Sequence, residues 1–247
     1  MQLFDLTDKN VLITGGTRRI GFAIAQGVKQ AGGRVWIHGS SEDRTRKIAE
    51  ENGFDYLYGD LRDQDGLDGM LRPFLSREDR LDVLINNAGF ETHSAIENAE
   101  EESMDAIYNV NTKSPYFLLQ KLLPALKKAG RASVINVTSI HQKVPVRENG
   151  YYCMAKASLG MFTKVAALEL AKYGIRVNNL APGAILTDMN RELVEAMDFE
   201  QWIPIGRVGR ADELIGPAVF LASDASSYVT GTTLYVDGGY SENLLRY

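Results

Sequence analysis

The stretch NGYYCMAKAS, residues 149–158, places two phenols and an ammonium at a spacing that can carry proton transfer. On a helix, positions four apart are separated by about 40° around the axis and positions five apart by about 140°. Tyr152 therefore shares a face with Lys156, and Tyr151 falls to a packing or pocket-wall position. An ammonium beside a phenol favours the phenolate and lowers a pKa that starts near ~10, as proton exchange near neutrality requires. The spacing alone also describes an exposed aromatic next to a solvated lysine. Ser139, which closes the apolar run SVINVTS thirteen residues earlier, adds a hydroxyl at a strand end, where ligands of a parallel sheet lie.

A second constellation is NVLITGGTRRIGFAIAQGVKQAG, which reads strand, glycine turn, helix. Glycines let a backbone approach a pyrophosphate closely, and the following helix presents free N–H groups and a favourable dipole. Gly15, Thr17, Arg18, Arg19, Ile20 and Gly21 are the expected cofactor contacts; a tight turn between packed elements is the plainer reading of the same residues. The second strand ends HGSSEDR, with Gly39 and Ser40 where an NAD-binding chain carries an acid for the ribose hydroxyls. Arg18, Ser40 and Ser41 can instead meet a 2′-phosphate, so NADP(H) is favoured over NAD(H). Glu42 and Asp43 weigh against this, although both suit the start of a helix.

The spacing Thr14-Gly15-x-x-x-Arg19-x-Gly21, NNAG at 86–89, Ser139, the Tyr152–Lys156 pair and Pro182-Gly183 together resemble the short-chain dehydrogenase/reductase family, over essentially the whole chain through YVTGTTLYVDGGY. Asn111 in NVNTKSPYF completes a set similar to that family's Asn-Ser-Tyr-Lys tetrad. The resemblance implies that Tyr152 exchanges the proton with the substrate oxygen and that Ser139 holds that oxygen. It implies that Lys156 tunes Tyr152 and binds the nicotinamide ribose, and that Asn111 holds a relay water. It further implies Asp60 and Leu61 at the adenine, Asn87, Ala88 and Gly89 along the cofactor cleft, and Pro182, Gly183, Ile185 and Thr187 over the nicotinamide. Asn86 and Asn87 also fit a turn whose amides satisfy the backbone. The chain departs from the family at Arg19, which stands where a middle glycine is usual; pteridine reductases are similar in this respect. An arginine there requires either a turn open to ordinary residues or a strained one.

The elements that must position these groups are legible as short aliphatic runs: NVLIT, RVWIH, DYLYG, DVLIN, SVINV, RVNNL and TLYVD, separated mostly by helical periodicity. This predicts an α/β chain with a single Rossmann-like doubly wound fold, a seven-stranded parallel sheet with helices on both faces. Its 247 residues suit one domain, 1–247, with 184–210 as a substrate-loop insertion. The net charge of −5 with scattered basic residues gives no footprint for nucleic acid. No apolar run reaches membrane-spanning length, and Cys153 is the only cysteine, so a reducing cytoplasmic setting is expected. His38, His93 and His141 lack the spacing of a metal-ligand set, and none is expected to bind metal.

The substrate is expected to be a small molecule. Glu91, His93, His141 and Gln142 suit a polar one, and NNAGFE, SIH and IRVNNLAPGAILTDMN resemble bacterial glucose dehydrogenases of the family, which favours a sugar, polyol or sugar acid. Glu91 and His141 are the expected contacts, although a solvated surface lip has the same composition. Met189, Leu193, Met197, Phe199 and Trp202 offer an apolar wall instead. The pattern equally resembles 3-oxoacyl-carrier-protein reductases, for which Arg147, Arg191, Arg207 and Arg210 would face an acidic carrier, and Arg19 keeps a pteridine open. A non-catalytic NADPH sensor is a further alternative. Relatives of this kind imply a homo-oligomer, tetramer or dimer, built through 111–129, 151–173 and the C-terminal strand.

Overall fold

The computed structural model describes residues 2–186 and 199–243. The seven expected strands all form, as β1 (Asn10–Ile13), β2 (Arg34–Gly39), β3 (Asp55–Tyr58), β4 (Val83–Asn86), β5 (Ala132–Val137), β6 (Ile175–Pro182) and, near the C-terminus, β9 (Thr233–Val236). They make one parallel sheet in the order β3-β2-β1-β4-β5-β6-β9. Two further strands, β7 (Ile185–Leu186) and β8 (Gly209–Arg210), pair with each other and clasp the two ends of the 184–210 insertion. Thr187, Met189, Arg191, Leu193 and Met197 lie outside the described residues.

Side chains alternate across the strands, so each strand feeds two cores. Leu12, Trp36, Leu57, Leu84, Val134 and Val177 point to one face, covered by α3 (Leu67–Arg77), α5 (Ser114–Ala129) and α6 (Gly150–Leu170). Val11, Ile13, Val35, Ile37, Val83, Ile85, Ile135 and Val137 point to the other, covered by α1 (Arg19–Gln30), α2 (Glu42–Asn52) and α7 (Ile215–Ala222). Burial on both faces explains why these strands are nearly continuous aliphatic runs with little polar alternation. Among the described residues no helix is long and apolar enough to cross a membrane.

Two features aim the site. All strands are parallel, so every loop leaving a strand end emerges at one edge of the sheet. The order reverses between β1 and β4, which opens the crevice where open α/β sheets bind ligands. Between α4 (Glu101–Tyr108) and α5 the chain adds a π-helical turn, Asn109–Lys113, with Asn111 fully buried within it. Such turns occur frequently at functional sites.

Candidate active site

The glycine turn after β1 is closed to side chains. Gly15 has φ +65°, and a Cβ at Gly21 would stand 2.3 Å from the Gly15 carbonyl oxygen and 2.4 Å from Asn87 Nδ2. Asn87 is the reason for the crowding: its Nδ2 donates to the carbonyls of Thr14 (2.9 Å) and Gly15 (3.2 Å). Thr14 Oγ1 in turn accepts from the N–H groups of Asn87 and Ala88, both at 3.0 Å. The NNAG segment and the glycine turn are thus laced together across the switch point, and Asn86 continues the lacing inward by donating to Asn136 Oδ1 at 2.8 Å.

Helix α1 begins at this turn with no side chain capping its first N–H groups. A helix start of that kind, beside backbone that no Cβ obstructs, fits a dinucleotide pyrophosphate. Arg19 takes φ +51° and so adopts the left-handed conformation that favours glycine. Of the two possibilities the sequence left open at Arg19, the strained one holds. Ile20 packs partly into the core beside it.

His38 has a larger part than its strand position suggested. Its Nδ1 accepts from the Gly15 N–H at 3.5 Å and its Nε2 lies 3.0 Å from the Gly59 carbonyl oxygen, so the ring struts the glycine turn against the end of β3. Donation to Gly59 and acceptance from Gly15 require the neutral ring with its proton on Nε2, and burial lowers the pKa to about 4. A polar side chain in an otherwise apolar strand, one residue before a glycine, was the available signal.

At the ends of β2 and β3, Arg18, Ser40 and Ser41 are exposed, and Arg18 shares a shallow cleft with Thr17, Arg44 and Lys47. Of the two acids that weighed against a phosphate, Asp43 lines that same cleft, together with Glu51. Asp43 pairs with Arg46 at 2.7 Å, and Glu42 takes a hydrogen bond from Tyr58. Asp60 is held by Arg62 through both carboxylate oxygens, which keeps its carboxyl below the usual range. Leu61 is buried, and its carbonyl accepts from Ser114 Oγ.

Across the crevice, the end of β5 and the first turns of α6 bring Ser139, Tyr152 and Lys156 together. Lys156 is buried, and its Nζ donates to the Val137 carbonyl at 2.9 Å and lies 5.5 Å from the Tyr152 ring centroid. A Cβ on Gly89 would come within 3.4 Å of Lys156 Nζ and 3.0 Å of Asn111 Oδ1, so the NNAG loop runs directly over both. Asn111 grips that loop twice, accepting from the Phe90 N–H at 3.1 Å and donating to the Phe90 carbonyl at 2.9 Å. Tyr151 is half-buried, in keeping with a packing position.

The expectation that Lys156 draws the phenol down needs correction. In the structure burial raises the Tyr152 pKa well above the ordinary phenol range, the charge of Glu91 adds to the rise, and a hydrogen bond with Ser139 opposes it. Burial likewise lowers Lys156, to about 8, because a desolvated ammonium sheds its proton more readily. Helical spacing shows that the two groups share a face; it does not show how dry that face is.

The two expected substrate contacts flank the phenol. The His141 ring stands edge-on to Tyr152 with centroids 6.3 Å apart, fixed by a contact of 2.9 Å from its Nδ1 to the Val144 carbonyl, and the backbone N–H of His141 donates to Ser139 Oγ. Glu91 Oε2 accepts from Asn149 Nδ2 at 2.9 Å. Gln142 points away from the cleft and donates to Thr233 Oγ1 and to the Tyr235 hydroxyl. Pro182 closes β6, and Gly183 presses on Asp237, where a Cβ would meet Asp237 Cβ at 2.6 Å; Ile185 begins β7 and is buried. Phe199 meets Trp202 and Tyr240 edge-to-face, so these aromatics pack the described end of the insertion onto the C-terminal segment. Arg207 and Arg210 pair with Glu213 and Asp212 of the neighbouring turn.

Comparison with known proteins agrees with this geometry. A family model described as enoyl-(acyl carrier protein) reductase matches residues 15–241. A 3-oxoacyl-[acyl-carrier-protein] reductase of Chlamydia pneumoniae is 35% identical over 95% of this chain and 97% of its own length. Gluconate 5-dehydrogenase of Gluconobacter oxydans is 32% identical over 98% of both chains. The crystal structure of a gluconate 5-dehydrogenase from Burkholderia cenocepacia, in complex with NADP and tartrate, superposes with a TM-score of 0.90 at 33% identity and covers 98% of each chain.

Proposed function

The chain belongs to the short-chain dehydrogenase/reductase family and is an oxidoreductase of CH–OH and C=O groups; from that premise we propose that it acts on a polar small molecule, a sugar, polyol or sugar acid, with NADP(H) preferred over NAD(H). The observation that carries this reading is the placing of Ser139, Tyr152 and a buried Lys156 at the carboxyl edge of the sheet, against the NNAG loop and across the switch point from a helix start whose N–H groups no side chain caps.

Gly15, Thr17, Arg18 and the first N–H groups of α1 would hold the pyrophosphate, and Arg18, Ser40 and Ser41 the 2′-phosphate. Asp60, Asn87, Ala88, Gly89, Pro182, Gly183 and Ile185 line the path between the adenine and nicotinamide ends. When bound, the coenzyme supplies or accepts the hydride. Tyr152 gives its proton to the substrate oxygen in reduction and takes it back in oxidation, while Ser139 Oγ steadies that oxygen as charge develops. A phenol raised by burial is a poor base until positive charge offsets its desolvation. Lys156, whose own pKa of about 8 leaves it protonated at neutral pH, is the cation beside the phenol, although in the structure burial and Glu91 outweigh it. Asn111 holds Phe90, and with it the loop that roofs Lys156.

Tyr152→Phe is expected to lower kcat by roughly 10²- to 10⁴-fold, the contribution of a positioned acid–base group, with nucleotide affinity nearly unchanged. Comparable turnover in that variant refutes the assignment. Arg18→Ala should weaken NADPH about tenfold more than NADH, the effect of one lost phosphate contact of about 1.4 kcal/mol, and equal losses would remove Arg18 from the 2′-phosphate. The engagement of Glu42 with Tyr58 favours the same reading, whereas Asp43, which lines the cleft beside Arg18, weighs against it.

A 3-oxoacyl-carrier-protein reductase is the alternative that the relatives support. Two of its four candidate carrier-binding arginines, Arg207 and Arg210, are committed to local ion pairs, which weakens that case. Met154, Met161, Val165 and Leu168 leave one exposed apolar stripe along α6, with Tyr116 exposed on α5. A stripe of this kind supports a homo-oligomer, dimer or tetramer, through these helices in the cytoplasm. Light scattering that returns the monomer mass would dismiss it.

A further inference from the structure

The loop after β4 carries one carboxylate into the site and holds it there from three directions. Asn111, inside the π-helical turn, takes both the N–H and the carbonyl of Phe90. Ser94 pairs with Asn149 in an isolated parallel bridge, and its N–H donates to the Glu148 carbonyl at 2.7 Å. Between these two anchors stands Glu91, whose Oε2 accepts from Asn149 Nδ2 at 2.9 Å. Asn149 is 2% exposed and immediately precedes α6, three residues before Tyr152. The carboxylate is therefore fixed beside the N-terminal turn of α6 that carries the phenol.

We infer that Glu91 makes this a site for uncharged polyhydroxy substrates: it accepts a substrate hydroxyl on Oε1 while Asn149 holds Oε2, and it turns away substrates that bring a carboxylate or an acidic carrier to the reacting carbon. The inference rests on the oxidoreductase reading above and narrows its substrate class from sugars and sugar acids to neutral sugars and polyols. Three observations support it. Among the described residues, Glu91 is the carboxylate whose charge reaches both Tyr152 and Lys156, raising each. Lys156, the nearby cation, is turned inward to the Val137 carbonyl and is not presented to a substrate anion. The segment that carries Glu91 is acidic as well: between Arg80 and Lys113 the chain has no lysine or arginine, and Glu97, Glu100, Glu101, Glu102 and Asp105 follow Glu91 in sequence. A fixed like charge disfavours an anion, and an acceptor-only carboxylate suits the hydroxyl of a polyol.

The test measures kcat/KM on the full chain for matched pairs that share skeleton and oxidation level and differ in charge, such as an aldonamide against the corresponding aldonate, together with a 3-oxoacyl thioester. The wild type should favour the neutral member by about tenfold or more, the range over which one unpaired charge discriminates. Glu91→Gln keeps an acceptor for Asn149 and should close most of that gap, chiefly by improving KM for the aldonate. Because Glu91 is exposed, the gap in the wild type should also narrow with added salt, a reading that needs no variant. An aldonate preferred by the wild type, or a ratio indifferent to both the substitution and the salt, overturns the inference while leaving the oxidoreductase reading intact. Turnover of neither member of any pair, with nucleotide bound, overturns both.

Discussion

The two halves of the sheet on either side of the β1/β4 crevice solve different problems with different materials. On the β1–β2–β3 side the groups that face the cleft are backbone N–H groups, glycines and exposed side chains such as Arg18, Ser40, Ser41 and Asp60. On the β4–β5–β6 side they rest on buried polar side chains joined to one another. Asn86 donates to Asn136, Asn136 to Thr163 Oγ1, Thr163 to Asn179 Oδ1, and Asn179 to Thr233 Oγ1, where Gln142 also donates. Asn136, Thr163 and Asn179 are fully buried. Specificity for a coenzyme can therefore drift by surface substitution on one side, whereas the catalytic side is tied to the fold: a polar group stranded there costs the desolvation it can no longer offset.

The sharpest way to break this comparison is Asn136→Ala. It strands Asn86 Nδ2 in the dry interior, removes a bond to Thr163 and leaves a small void. Each stranded group costs about 1–3 kcal/mol, so a total on the order of 4 kcal/mol is expected from urea denaturation. A loss near that of a surface substitution, below about 0.5 kcal/mol, would show that the ladder does not brace the catalytic half.

His38 is the exception on the binding side, and it gives the next largest effect. The folded ring stays neutral to about pH 4 because it is buried, whereas the unfolded ring takes a proton near its ordinary value of 6.5. Between those values the unfolded state binds the extra proton, so this contribution to stability is fully present above pH 6.5 and is lost as pH falls through the window. One and a half pH units below 6.5 corresponds to about 2 kcal/mol. The wild type should therefore lose about that much more than His38→Gln between pH 7 and pH 5. Parallel slopes for the two proteins would mean that the ring is solvated and struts nothing.

The same contrast explains what could be read in advance. The strands NVLI and VLIN were visible because a sheet covered on both faces favours nearly continuous aliphatic runs, and RVNNL was visible despite the asparagines that interrupt it. Gly15, Gly21 and the pairing of Tyr152 with Lys156 were visible because glycine spacing and a helical turn are local geometry. The π-helical turn at Asn109–Lys113 was not, since nothing in NVNTK marks the wider loop that turns Asn111 onto Phe90. Nor was the upward shift of Tyr152. It depends on how much of the chain closes over the phenol and on the charge of Glu91, 61 positions away in sequence. Asn149, which holds that charge in place, stands in the quoted stretch itself, but its partner lies 58 positions away and leaves no local signal.

The smallest effect belongs to the turn where both halves meet. Arg19 occupies left-handed backbone at φ +51°, which costs a residue with a Cβ roughly 1–2 kcal/mol relative to its preferred regions. Arg19→Gly removes that strain, but it also frees the unfolded chain, which offsets about 0.5–1 kcal/mol of the gain. A net gain of under about 1 kcal/mol is expected, seen as a slightly raised urea midpoint. Nucleotide affinity separates the two reasons for keeping an arginine there. If affinity is unchanged in the glycine variant, the side chain is tolerated strain; if affinity falls while stability rises, the guanidinium is retained for the anion at the start of α1, and the turn has exchanged backbone ease for charge.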